Sequence, residues 1–187
     1  KTLTVNNTAG IGIKMILGSE LNLTGTGSFN VNAQMAGLHL TQSTFTSPKN
    51  VAVEISSNNN YGIYTDSCMV SLHGNVSGAS GGVFASTDNT ITVNGTVTST
   101  GTGSENHAVR LNGTGNTVQV GEAVVTAGGG SGIYVNTGAR GTVTVGSQEN
   151  PGRVAGKGSG LWIRSGAAVT VYGNVEGSVH GIDFYEN

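Results

Sequence analysis

One short pattern recurs along the chain, and this repetition restricts the fold more than any other feature of the sequence. Residues 131–146 read SGIYVNTGARGTVTVG and residues 159–173 read SGLWIRSGAAVTVYG. Each copy contains Gly, an apolar triplet with an aromatic centre, a polar break and Val-Thr-Val. The triplet occurs eight times at intervals of 20 to 28 residues, with central residues Lys14, His39, Tyr64, Phe84, Arg110, Tyr134, Trp162 and Asp183.

Two further series of alternating segments follow the triplets, so each repeat predicts three short strands. The second series contains Leu21–Leu23, Val70–Leu72, Ile91–Val93, Val118–Val120, Val143–Val145 and Val169–Val171, with Phe45 alone marking the second coil. The third begins around Val76, Val97, Val124, Val154 and Val175, with earlier members Phe29–Val31 and Val51–Val53. Alternate residues of a strand point to opposite faces, so the outer members of each triplet should be buried and the central ones should face outward.

Three strands per repeat in a fixed order predict an all-β fold, a right-handed parallel β-helix (β-solenoid) of about eight coils of three short strands. Stacking like strands on like would fill a continuous core with Val, Ile and Leu. Irregular turns favour the right-handed form over left-handed hexapeptide helices, which keep a strict short period. A β-sandwich also contains many short strands, but it does not explain three ordered columns.

We expect residues 1–187 to form a single β-helix domain that is a segment of a longer surface protein. The chain starts in strand-like KTLTV and stops at FYEN, with no charged cap at either place. Open strand edges at the ends of a solenoid need to be covered. The remainder of a larger parent protein, or partner chains, should therefore cap the solenoid.

Composition excludes several classes of function. Only 10% of residues are charged and the net charge is −2 without a basic cluster, so no nucleic-acid partner is expected. No apolar run has the length of a membrane span. The single Cys68 excludes an internal disulfide and is expected to be buried. His39, His73, His107 and His180 lack metal-binding spacing, so neither a metal nor another cofactor is expected.

The phrases GSGIYVNTGARGTVTVG, GSGLWIRSGAAVTVYGNV and VHGIDFYEN resemble repeats of bacterial surface β-helices, with autotransporter passengers and Gram-positive adhesins the most similar. The resemblance lies in repeat style over nearly the whole chain. It implies a right-handed parallel β-helix of the pectate-lyase-like shape that is extracellular or on the cell surface. It implies no catalytic residue, because no catalytic motif of that superfamily is matched.

The central triplet residues should stack about 4.8 Å apart into an outward stripe. Glycines precede the stripe by two residues, which suggests a bare margin, and polar residues follow it by two. Such a surface suits a glycan, because aromatic rings contact pyranose C–H faces while polar side chains bind hydroxyls. The long insertions STGTGSENH and TAGGGSG enter the same column. The predicted ligand-binding residues are Tyr64, Asp66, Phe84, Arg110, Asn112, Tyr134, Asn136, Trp162 and Arg164.

Other interpretations of the stripe remain open. Aromatic ladders stabilise sheets, and the stripe would also serve as an internal interface with the parent protein. A polysaccharide lyase or glycoside hydrolase fragment is the alternative, although Asp66 and Asp183 should lie five coils apart and Arg110 two coils from Asp66. A third alternative is ice binding by the threonines of the second column. The sequence favours a non-catalytic adhesin or stalk with a carbohydrate-binding aromatic face, on which Trp162→Ala should weaken binding with little effect on folding.

Overall fold

The structure is a computed structural model that describes residues 1–185. Glu186 and Asn187, the last residues of the phrase VHGIDFYEN, lie outside the described part. Twenty-one strands and their connecting turns account for residues 1–185, and every strand pairing is parallel. Among these residues there is no helix with the length and apolar character needed to cross a membrane.

The strands of the first column form an eight-stranded sheet. They are β2 (Ile13–Met15), β5 (Leu38–Thr41), β8 (Tyr61–Asp66), β11 (Gly81–Ala85), β13 (Val109–Leu111), β15 (Ile133–Val135), β18 (Ser159–Ile163) and β21 (His180–Phe184). Each strand pairs with the equivalent strand of the coil before and after it. Eight stacked strands correspond to about seven complete turns of the solenoid.

The second and third columns join in a thirteen-stranded sheet. The second column contains β3 (Glu20–Asn22), β6 (Thr44–Thr46), β9 (Met69–Leu72), β16 (Gly141–Val145) and β19 (Ala168–Val171). The third contains β1 (Thr2–Asn7), β4 (Gly27–Ala33), β7 (Val51–Ser57), β10 (Gly74–Gly78), β17 (Gly152–Gly156) and β20 (Gly173–Gly177). Two long strands, β12 (Thr90–Ser99) and β14 (Asn116–Val125), run through both columns and connect them.

The observed register confirms the predicted β-solenoid and its inside–outside pattern. In the first column all eight central residues pair in series from Lys14 to Asp183. In the second column Phe45 pairs with Leu21 and Val70, so it is the inward residue of the second coil. The buried apolar residues of the three columns form one continuous core.

In the third column, the sequence-based prediction is displaced by one residue in one coil. Val97 pairs with Ala123, and Ala123 pairs with Val154, whereas Val124 is the outward neighbour. Ala123 is fully buried, while Val124 is half-buried. The prediction assigned Val124 to the core because valine is the usual inward residue of this column. In this coil the core position belongs to the smaller Ala123, so that assignment was wrong.

The corner between the third and first columns explains why a small residue is needed there. A Cβ added to Gly62 would lie 2.5 Å from Cγ1 of Val76, and one added to Gly132 would lie 2.6 Å from Cγ1 of Val154. These glycines therefore face the interior against the third column, and the predicted bare outer margin is wrong. The one coil with Ala108 in place of this glycine also has Ala123 in place of the valine.

The corner between the first and second columns is held by an internal polar ladder. Cys68 is buried as predicted, and its backbone N–H donates to Asn89 Oδ1 at 3.0 Å. Asn89 Nδ2 donates to Asn116 Oδ1 at 2.9 Å, and Asn116 Nδ2 donates to the Ser86 carbonyl at 2.8 Å. Both amides are buried with their hydrogen bonds satisfied, so they fix the register of successive turns.

Replacing Val145 with Asp is expected to prevent stable folding. Val145 is fully buried and pairs with Val120 and Val171, so the carboxylate would have no polar partner. The loss of unfolding free energy should be about 4 kcal/mol or more. The matched substitution Thr144→Asp, on the outward side of the same strand, should change it by about 0.5 kcal/mol or less. Equal losses in urea unfolding would contradict the assigned orientation of β16.

Replacing Ala123 with Val should destabilise the chain by about 1–3 kcal/mol, because the added methyl groups would crowd Ala108. Adding Ala108→Gly should recover most of this loss by recreating the glycine–valine corner of the other coils. Urea unfolding of the two single variants and the double variant measures the coupling. Thr98→Val, on the outward side of the neighbouring third-column strand, is the control and should be nearly neutral. Strictly additive effects of the two substitutions would contradict the proposed corner.

Candidate functional site

Side chains that point outward from the first column form a continuous stack, which we call the ladder; its members are His39, Tyr64, Phe84, Arg110, Tyr134 and Trp162. The rings of Tyr64 and Phe84 are stacked with their centroids 4.7 Å apart and their planes nearly parallel, at an interplanar angle of 5°. His39 lies 4.9 Å from Tyr64 on one side. The Arg110 guanidinium carbon lies 5.9 Å from the Phe84 ring on the other.

The ladder continues from Arg110 to the C-terminal coils. The Arg110 guanidinium carbon lies 5.2 Å from the Tyr134 ring, and the Tyr134 and Trp162 rings are 4.9 Å apart. Beside the ladder, the Arg164 guanidinium carbon lies 5.7 Å from the Trp162 ring and 5.4 Å from that of Tyr185. The sequence therefore identified neighbouring outward residues over the full length of the sheet.

Stacking restricts how the ladder can contact a ligand. The faces of Tyr64 and Phe84 lie against each other, and their other sides adjoin His39 and Arg110. The ring edges of Tyr64 and Phe84 are consequently the parts left for solvent. Such a ladder stabilises neighbouring strands through cross-strand contacts, and its free surface is suited to edge contacts and hydrogen bonds more than to flat stacking.

Tyr134 is not the exposed residue that strand alternation alone predicted. Only 2% of its surface is accessible, because His107 stacks on it with ring centroids 4.3 Å apart and Trp162 packs nearby. His107 ends the insertion 99–107, which packs on the insertion 126–132 of the next coil. A side chain at Gly128 or Gly130 would overlap the backbone of Thr102 or Asn106. The first insertion thus places the His107 side chain as a second layer on the ladder.

His107 is the most perturbed titratable group of this cluster. Its Nδ1 accepts a hydrogen bond from the Ser131 backbone N–H at 3.0 Å. Burial, and secondarily the Arg110 charge, lower the pKa of His107 to about 3. The imidazole is therefore neutral at physiological pH with its proton on Nε2, 3.7 Å from a Glu105 carboxylate oxygen.

A row of hydrogen bonds runs beside the C-terminal half of the ladder, and we call it the polar margin. The Tyr134 hydroxyl donates to Asn136 Oδ1 at 3.0 Å, and Asn136 Nδ2 donates to Asn112 Oδ1 at 2.8 Å. Arg164 Nη1 donates to the Tyr134 hydroxyl at 3.3 Å. These four predicted binding residues are brought together, whereas Asp66 lies on β8, two coils before Asn112.

Tyr61 and Glu105 belong to the same surface although their sequence positions gave no indication of it. The Tyr61 ring is 5.0 Å from that of Phe84, and it lies over Gly81. Burial raises the pKa of Tyr61, and the nearby Arg110 charge partly opposes this rise. The Glu105 side chain is 64% exposed at the edge of His107. Tyr61 begins β8 ahead of the triplet, whereas the position of Glu105 depends on the path of the insertion, which strand periodicity does not describe.

The alternative chemistries receive little geometric support within residues 1–185. Asp66 and Asp183 lie on β8 and β21, five strands apart and hence separated by about 24 Å. Within this range no three His, Cys, Asp or Glu side chains are grouped as a metal site would require. On the second column Thr92 and Thr144 are in register, but Gln119 stands between them, so the threonine surface is interrupted.

Comparisons with known proteins give no family. No family model, no curated protein and no solved structure matches this chain.

Folding stability should fall with decreasing pH because of His107. Its unfolded pKa is near 6.5 and its folded pKa is lower, so below pH 6.5 the unfolded chain binds a proton that the folded chain does not. The contribution of His107 should fall by about 2 kcal/mol between pH 7 and pH 5. In urea unfolding, His107→Gln should not show this loss of unfolding free energy between pH 7 and pH 5. His73→Gln, on another column, should still show the loss. An unchanged pH dependence in His107→Gln would contradict the assignment.

Proposed function

We propose that the chain is a rigid, non-catalytic module of an extracellular or cell-surface bacterial protein, and that its first-column surface binds saccharide. The observation that supports binding most directly is the polar margin beside the ladder. Amide, hydroxyl and guanidinium groups from three successive coils line one side of a row of aromatic edges. Saccharides need this combination of hydrogen-bonding partners and apolar surface.

Rigidity follows from the two packing systems on either side of the first-column sheet. The inner side contributes Leu38, Ile63, Val109 and Ile133 to the core, all fully buried. The outer side carries the ladder, whose cation–π and aromatic contacts connect successive coils. A solenoid supported on both sides of one sheet is suited to present a binding surface at a fixed distance from an attachment point.

The bacterial and cell-surface assignment depends on the resemblance of the repeats to autotransporter passengers and Gram-positive adhesins. The coil is expected to be right-handed, because connections between parallel strands of one sheet are nearly always right-handed. The separation of Asp66 and Asp183 favours a non-catalytic role, since glycoside hydrolysis needs two carboxylates within about 5–10 Å. We also propose that the solenoid is capped by other parts of a larger parent protein or by partner chains.

Saccharide recognition should occur mainly through hydrogen bonds along the polar margin and through ring edges. Asn112 Oδ1 accepts from Asn136, and Asn112 carries in addition an amide NH₂ group. Asp66 is half-buried at the same margin in an earlier coil. Trp162 is half-buried and packs on Tyr134, so Trp162→Ala would also disturb the ladder. Variants of the polar margin therefore test binding more cleanly than a tryptophan deletion.

A glycan array with the intact chain should identify a bound oligosaccharide, and titration calorimetry with that ligand should test the surface. Asn112→Ala is expected to weaken binding about five- to tenfold, which corresponds to the loss of one hydrogen bond of about 1 kcal/mol. Asn94→Ala removes the same group from an exposed position on another column and should leave affinity unchanged.

Two outcomes would count against the proposal. Absence of binding to any saccharide on the array would leave only the role of a structural stalk. Equal weakening by Asn112→Ala and Asn94→Ala, with melting temperatures unchanged, would show that the first-column surface is not the binding site.

A further inference from the structure

Buried hydrogen-bond donors without acceptors are concentrated at one place on the ladder. Among residues 1–185, five buried side-chain polar atoms have no hydrogen-bond partner. Four of the five surround Tyr134, and they are His107 Nε2, Arg110 Nε, Trp162 Nε1 and Arg164 Nε. The guanidinium and indole nitrogens can only donate, and Nε2 of His107 carries the proton because Nδ1 accepts from Ser131.

The four donors lie around the Tyr134 side chain, with Arg110 on the strand before it and Trp162 on the strand after it. His107 contacts Tyr134 at 4.3 Å between centroids and meets the Trp162 ring edge-on at 6.0 Å. The Arg110 guanidinium lies over the Tyr134 ring, and the Arg164 guanidinium reaches the Tyr134 hydroxyl. Buried donors normally have partners, and leaving one unpaired costs about 1–3 kcal/mol. A cluster of four such groups indicates that an acceptor-rich group completes the site.

The charges around Tyr134 favour an anionic acceptor. Arg110 and Arg164 contribute two positive charges, the buried His107 is neutral, and Glu105 contributes one negative charge. Asp183, one strand beyond Trp162, faces His180 at 3.7 Å, and Asp66 lies two strands before Arg110. One positive charge therefore remains without a partner at the cluster itself.

Glu105 shows that a carboxylate can approach these donors from the solvent side. Its oxygen is 3.7 Å from His107 Nε2, too far for a hydrogen bond but close enough for electrostatic attraction. The pKa of Arg164 is raised, chiefly by its hydrogen bond to Tyr134 and to a smaller degree by the Glu105 charge. Because the Glu105 side chain is 64% exposed, it can turn to the solvent without losing a buried contact.

We propose that the cluster of His107, Arg110, Trp162 and Arg164 is a subsite for the carboxylate of an acidic sugar residue, and that Glu105 competes with this carboxylate for it. The inference rests on the proposed saccharide binding and specifies its ligand class. When Glu105 turns outward, the ligand carboxylate takes its place beside His107 Nε2 and accepts from His107 and from neighbouring N–H groups of the cluster. The sugar ring then lies toward Asn112 and Asn136 on the polar margin.

The test compares sugars that differ by one carboxylate. Titration calorimetry with the intact chain would use a glucose disaccharide and its glucuronate-containing analogue, and lactose with its sialyl derivative. The first pair presents the carboxylate on a uronate ring and the second on a terminal sialate. At least one acidic member should bind about tenfold more tightly than its neutral partner, and this preference should decrease as salt is added.

Charge-neutralising variants should change the affinity of the preferred acidic sugar in opposite directions. Glu105→Gln should tighten binding about fivefold by removing the competing carboxylate, and Arg164→Gln should weaken it about fivefold or more. Arg164→Lys should keep part of the preference, because it retains the charge. The matched controls Glu54→Gln and Arg153→Gln lie on the third column and should leave affinity unchanged.

The outcomes separate this inference from the proposed function. Equal binding of acidic and neutral members, with Asn112→Ala still weakening both, would overturn the carboxylate subsite and leave saccharide binding intact. Weaker binding in both Glu105→Gln and Arg164→Gln would also overturn it, since a purely structural role of the insertion predicts the same sign for both. Absence of binding to every sugar of the series, together with a negative glycan array, would overturn both proposals.

Discussion

The close contact between the first and third columns is the constraint on which the rest of the solenoid depends. At that corner a Cβ added to the glycine of most coils would lie 2.3–2.6 Å from an inward valine or isoleucine side chain, and the coil with Ala108 has the smaller Ala123 as its inward residue. The triplet of each first-column strand begins at the residue after this contact, so the contact aligns the triplets of successive coils. Because side chains alternate along a strand, this alignment also determines which residues face outward and stack.

The same alignment gives the outer surface two functions that depend on each other. Stacked rings and guanidinium groups support the sheet, but stacking occupies the ring faces of Tyr64 and Phe84. Recognition is then left to polar groups at the ladder's side and to ring edges. Where the insertion 99–107 places His107 on Tyr134, an outward position becomes buried, and donors lose access to water without gaining protein acceptors. Four of the five unpaired buried polar atoms of residues 1–185 lie at this cluster, and packing of the sheet does not account for them.

The stacked strands and most of the outward residues could be predicted from the sequence, because the coils repeat and side chains alternate between the two faces of each strand. All eight first-column triplets, the inward Phe45 and the adjacency of Asn112, Asn136 and Arg164 to Tyr134 followed from this pattern. The exceptions have local causes. Val124 was assigned inward because the core residue Ala123 is small, and the glycine column was placed outside because glycine has no side chain to reveal its direction. The burial of Tyr134 and the positions of Glu105 and His107 depend on an insertion without periodicity.

The central claim is that an outward ladder supplies buried donors to an acidic ligand, and the imidazole of His107 reports on it directly. Nitrogen-15 NMR at pH 7 should show one neutral tautomer with the proton on Nε2 and a protected N–H resonance. Saturation with the preferred acidic sugar should shift this resonance strongly, while the imidazole signals of His73 stay in place. A proton on Nδ1 in the free protein, or an Nε2 resonance unmoved in the saturated complex, would contradict the account.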